Sequence, residues 1–70
     1  MRVLIEAFWD AEAGVWVASS VGDLGLATEA ETIEALQKKL SVMVPDLLSP
    51  EHEGSVEIEL LARNTYTIAA

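Results

Sequence analysis

Between Ile33 and Leu47 apolar residues recur at spacings of three, four, three and four (Ile33, Leu36, Leu40, Met43, Leu47), whereas the segments on either side alternate apolar and polar residues. The first period winds into a helix with one apolar face, and a period of two extends into strands with one apolar face. A single amphipathic helix among strands must lie across a sheet, because neither apolar face can be left in water. The stripe lasts barely two heptads, which suits a core-facing helix rather than a coiled coil.

Local chemistry places the ends of that helix. Thr32 can accept a hydrogen bond from the first turn as N-cap, and Glu34 then stands against the positive end of the helix dipole. Thr28 and Glu31 also have capping-box spacing, so the start is open by a few residues. Pro45 removes an intrahelical bond and crowds the Ser41 carbonyl, which predicts a kink or restart. After Leu47-Leu48 the segment Ser49-Pro50-Glu51-His52-Glu53-Gly54 reads as a polar loop.

The strands follow from alternation. Val3, Ile5, Ala7 and Trp9 share a face that reads as buried, and Arg2, Leu4, Glu6 and Phe8 share the other. Asp10-Ala11-Glu12-Ala13-Gly14 supplies turn chemistry before Val15-Trp16-Val17-Ala18, so the two runs form a β-hairpin. Gly22-Asp23 marks a second reversal, and a short third strand around residues 26–28 completes a meander. Over residues 55–63, Val56, Ile58, Leu60 and Ala62 point one way and Glu57, Glu59, Leu61 and Arg63 the other, giving a fourth strand with one buried face. Residues 64–70 have strand propensity without a preceding turn, and either prolong the fourth strand or add to a neighbouring subunit. The chain is one domain, residues 1–70, in the order β-β-β-α-β: an α+β fold with one helix packed on one face of the sheet.

A chain of 70 residues buries only about 60% of the surface its unfolded form exposes, so its stability is marginal. Disulfides are excluded by the absence of cysteine, and one histidine cannot anchor an ordinary zinc site. Self-association is the remaining source of extra stability. Glu6 and Asp10 interrupt the N-terminal segment before any signal-peptide core could form, and no stretch approaches the ~20 apolar residues of a membrane span. The expected location is the cytoplasm.

Four basic residues against twelve acidic ones leave a net charge of -8, which disfavours direct nucleic-acid binding. An acidic field of this kind speeds encounter with a basic protein, or serves only to keep a half-hydrophobic chain dissolved.

In a helix-on-sheet module the face opposite the helix should be polar. Here the nominally outward positions mix Leu4, Phe8, Trp16, Ala18 and Leu61 with Glu6, Glu57 and Glu59. The set reads as a protein-interaction surface with Phe8 and Trp16 as aromatic anchors, unless bulges or twist tuck these rings against the core edge. No P-loop, dinucleotide fingerprint, nucleophile elbow or zinc spacing occurs, so no catalytic, cofactor-binding or metal site is expected. His52 stands between two glutamates, where a solvated loop residue outweighs a general base. Asp10, Glu12, Asp23, Glu29 and Glu31 could gather at one end of the sheet, but their spacing matches no calcium loop, and solvated acids are the simpler reading.

Ala7-Phe8-Trp9-Asp10, Gly14-Val15-Trp16-Val17-Ala18 and the run from Gly25 through Thr28, Glu31, Thr32 and Glu34 to Leu36 together resemble the HicB-like antitoxin domain, and in particular its short stand-alone members of unknown function. The resemblance spans residues 3–62. It implies a β-β-β-α-β module that masks a small, basic, RNA-cleaving toxin of the HicA type by direct contact. It does not imply operator binding, because the chain ends before a ribbon-helix-helix or helix-turn-helix segment could fit. Leu24 stands where the family often has proline, and Ala35 where it often has an acid, which removes the capping box from Thr32. The sheet of that family also resembles part of the ribonuclease H fold, but this chain has no matching metal-binding acids and nuclease activity does not follow.

The expected function is therefore non-catalytic protein binding, as an antitoxin or antitoxin-derived protein, with a homodimer or higher homo-oligomer and a basic HicA-like toxin as partners. The alternative is a structural or small-ligand-binding homo-oligomer.

Overall fold

The structure, a computed structural model, describes residues 1–48 and 54–69; His52 and its neighbours in 49–53 lie outside the described residues. The elements are β1 (Arg2–Asp10), β2 (Val15–Ser20), β3 (Ala27–Ala30), α1 (Ile33–Leu47) and β4 (Glu57–Arg63), in the expected β-β-β-α-β order. One four-stranded sheet runs β3-β2-β1-β4. Strands β1 to β3 form the antiparallel meander, and β4 pairs with β1 in parallel.

The hairpin forms because its turn satisfies itself. The Asp10 carboxylate accepts from the backbone N–H groups of Glu12 and Ala13 at 3.1 and 3.2 Å, and Gly14 donates to the Asp10 carbonyl at 2.8 Å. Gly14 has φ 68°, a region that costs a side-chain-bearing residue more than glycine. The second reversal is tied by Ser20, whose hydroxyl accepts from Leu26 N–H at 3.0 Å while its own N–H donates to the Leu26 carbonyl. This clamp pushes the third strand later than the alternation suggested, to Ala27–Ala30.

Thr32 is the N-cap of α1, its hydroxyl accepting from Ala35 N–H at 3.0 Å, with Glu34 in the first turn. The Thr28–Glu31 alternative is not used, because Thr28 is spent in β3 opposite Ala18. Pro45 does not restart the helix, which continues to Leu47. It falls in the last turn, and Leu48 N–H closes the end against the carbonyls of Val44 and Pro45 at 3.2 and 3.3 Å.

Strands β3 and β4 are parallel to each other yet lie at opposite edges, so α1 must cross the whole sheet to join them. The core follows that crossing: Val3, Ile5 and Ala7 from β1, Ala18 from β2, Leu26 and Ala30 around β3, and Leu36, Leu40 and Val44 from the helix. The helical stripe is thereby rotated from its expected line. Val44 is fully buried where Met43 is only half-buried, and Leu47 is 46% exposed. Cover fades toward β4. Leu60 and Val56 pack against the core as half-buried residues, but Ile58 is 36% exposed and Ala62 is exposed, so the buried face expected of this strand is only partly buried.

Candidate protein-interaction surface

The β1–β2 register decides which side chains share a face. Ala7 stands opposite Ala18 and Trp9 opposite Trp16, and Ala7 belongs to the buried row of β1. Trp16 and Ala18 therefore face the helix. Ala18 is 1% exposed, and Trp16 packs half-buried against the core, its ring meeting Trp9 edge to face. The expectation that both residues point outward is corrected by this register.

The other six expected surface residues do share the outer face. Leu4, Glu6 and Phe8 come from β1, and the parallel register sets Glu59 beside Leu4, Leu61 beside Glu6, and Glu57 beside Arg2. Two residues missed by the sequence reading join them: Val17 lies opposite Phe8, and Val15 opposite Asp10. The sequence did carry a signal, because Ala7-Phe8-Trp9 and Trp16-Val17-Ala18 mirror each other about the turn. A hairpin that pairs the tryptophans must also pair the alanines and put Phe8 against Val17.

The apolar centre of this face is Phe8, 56% exposed, with Val17 opposite on β2, Arg63 opposite on β4 and Leu61, 40% exposed, diagonal to it. Around it stand Glu6, Glu29, Glu57 and Glu59 against the two guanidiniums of Arg2 and Arg63. Arg2 binds Glu57 at 3.0 Å and Arg63 approaches Glu6 at 3.6 Å. Both pairs are well exposed, so each contributes little to stability. The Glu29 and Glu59 carboxylates make no ion pair among the described residues, and they leave the rim net negative.

The acids considered for a cation do not converge: among the described residues no three His, Asp or Glu side chains come together. Asp10 is engaged in its turn. No described helix is long and apolar enough to cross a membrane.

On the opposite side, the described residues at the end of α1 and along β4 bound a cleft of ≈ 410 Å³ lined by Ser41, Val44, Pro45, Leu48, Gly54, Val56 and Ile58. Beyond Arg63 the chain carries on as an arm whose described residues are all exposed, including Tyr66 at 76% and Ile68 at 74%.

A family model and a solved structure match the chain over almost its whole length. Residues 2–68 match the model of a family described as a domain of unknown function, DUF1902. The crystal structure of a hypothetical protein, TTHA1013, from the extremely thermophilic bacterium Thermus thermophilus is 45% identical, with a TM-score of 0.77 over 97% of this chain and 100% of that one. No curated protein matches the chain. With almost every described residue inside the matched region, the chain belongs to the DUF1902 family.

Proposed function

We propose that this domain is a non-catalytic protein-binding module that docks a small basic protein on the outer face of its sheet. The observation that carries the reading is Phe8, a large aromatic left 56% exposed between Val17 and Arg63, with Leu61 one pair along and the carboxylates of Glu6, Glu29 and Glu59 around it. Exposed aromatic anchors with a charged rim are what a docking surface needs: the ring supplies affinity once desolvated, and the charge speeds encounter. A net charge of -8 selects a basic partner. The resemblance to HicB-like antitoxins supplies its class, a HicA-type RNA-cleaving toxin met in the cytoplasm.

The test is to look for a small basic protein encoded beside this one and, with that protein co-expressed, to assay the purified pair for RNA cleavage. Wild type should form a complex that silences cleavage, and Phe8→Glu should weaken it at least tenfold while folding normally. Equal inhibition by Phe8→Glu, or no complex with the basic neighbour, would overturn the reading. A second reading, a homo-oligomer of structural role, is favoured by the unpaired edge of β4.

A further inference from the structure

We propose that two copies of this chain pair antiparallel along β4, each sending its C-terminal arm past the Val56 end of the other's β4. This assembly uses the sheet edge and the helix side, and it stands whether or not the outer face binds a basic protein.

Strand β4 is an edge strand of seven residues with nothing among the described residues hydrogen-bonded to its outer side. Glu57 N–H donates to the Met1 carbonyl of the β1 side at 2.9 Å, so Glu57, Glu59, Leu61 and Arg63 spend their backbone groups on β1. Ile58, Leu60 and Ala62 then point theirs at the free edge. An exposed edge recruits another strand unless proline, a bulge or unmatched charge blunts it. No proline or bulge interrupts 57–63.

Charge selects the register. A two-fold axis through Leu60 sets Leu60 against Leu60, Ile58 against Ala62, and Glu57 against Arg63 of the other copy. Glu57, already held by Arg2 of its own chain, and Arg63, beside its own Glu6, would then each gain an opposite charge from the other copy, whereas a shift of the axis to Glu59 would bring two glutamates face to face. The Leu60 register also pairs the residues whose N–H and carbonyl groups are free.

The arm completes the argument. Val56, Ile58, Leu60 and Ala62 alternate toward the helix side, and Tyr66 and Ile68 keep the same parity beyond the sheet. In the chain alone these two side chains stand in solvent. In the Leu60 register each arm leaves Arg63 beside Glu57 of the other copy and runs on toward that copy's Val56, one of the residues lining the cleft.

The surface area agrees. A folded monomer of 7.6 kDa should expose about 4,300 Å², whereas this chain exposes 5230 Å². The arm, exposed throughout its described residues, contributes to this excess, which is surface a second copy could cover. The radius of gyration, 13.7 Å, likewise exceeds the roughly 11 Å of a compact chain of this length.

The test uses charge reversal and a single cysteine. Wild type should run as a dimer by light scattering after size exclusion, at twice 7.6 kDa. Glu57→Arg alone and Arg63→Glu alone each create like-charge pairs and should shift toward monomer, while an equimolar mixture should recover a heterodimer, because both cross-copy pairs are then opposite in sign. The chain has no cysteine, so Leu60→Cys treated with oxidised glutathione should give a covalent dimer, and Val42→Cys on the exposed helix side should not. Deletion after Arg63 should weaken the dimer at least tenfold. A monomeric wild type overturns the proposal, as does a dimer that ignores the charge pairs, fails to cross-link through Leu60→Cys, or is as tight without the arm. Phe8→Ala, which adds no charge beside Arg63, should leave the dimer intact while weakening the outer-face complex, which separates failure here from failure of the outer-face reading.

Discussion

Trp9 and Trp16 meet across the β1–β2 hairpin with ring centroids 5.4 Å apart and planes inclined at 62°, on the side of the sheet that α1 crosses. Edge-to-face pairs add about 0.5–1.5 kcal/mol to the burial of the rings themselves. Trp16→Ala removes both contributions from a half-buried site and should cost about 2–3 kcal/mol. In a chain of this size that lowers Tm by roughly 10 °C or more. Urea denaturation followed by circular dichroism measures it, and an effect under about 0.5 kcal/mol, the range of ordinary surface substitutions, would return Trp16 to the surface.

Leu36 and Leu47 are both apolar helix positions, yet one is fully buried and the other 46% exposed. Leu36→Ala should lose about 3 kcal/mol through lost transfer energy and the cavity left behind. Leu47→Ala should lose less than about 1 kcal/mol, as expected away from the core. Chemical denaturation of the two variants side by side reads the rotation of the stripe directly, and equal losses would contradict it.

At the helix start, Thr32→Ala deletes the hydroxyl that accepts from Ala35 N–H and should cost about 1 kcal/mol. Thr32→Asp keeps an acceptor in place and should restore most of the loss. Hydrogen exchange of the Ala35 amide checks the mechanism, since it should speed up in the alanine variant alone.

Gly14 has φ 68°, and a Cβ there would meet nothing within 4 Å. Gly14→Ala therefore suffers only the conformational cost of a left-handed backbone, about 1 kcal/mol. Gly14→Asn should suffer less, because asparagine tolerates that region. Thermal melts in the order wild type, asparagine, alanine are expected; a melt of Gly14→Ala above wild type would sink the argument.

Much of the fold was written in local chemistry. The 3.6-residue stripe, the Thr32 cap, the Asp10 and Gly14 turn and the alternation of β1 each act over a few residues, so the order of elements and the buried row Val3-Ile5-Ala7 could be read without coordinates. The candidate surface was legible only in part. Leu4, Glu6, Phe8, Glu57, Glu59 and Leu61 share the outer face as their parity implied, but Trp16 and Ala18 do not. Parity within one strand says which residues travel together; the register of the neighbouring strand says which way they face, and a slip of one residue reverses every side chain.

The sequence by itself determined the elements and their amphipathic rows, because backbone propensity, capping and turn geometry are short-range. Tertiary structure decided three things that depend on residues far apart in the chain: the facing of Trp16, the placement of β4 beside β1, and how much of the sheet α1 covers. Because α1 must span the sheet from β3 to β4, its cover runs thin over the β4 edge. Ile58 and the adjoining cleft stay partly open for that reason, although the alternation of 55–63 reads as cleanly buried as that of β1.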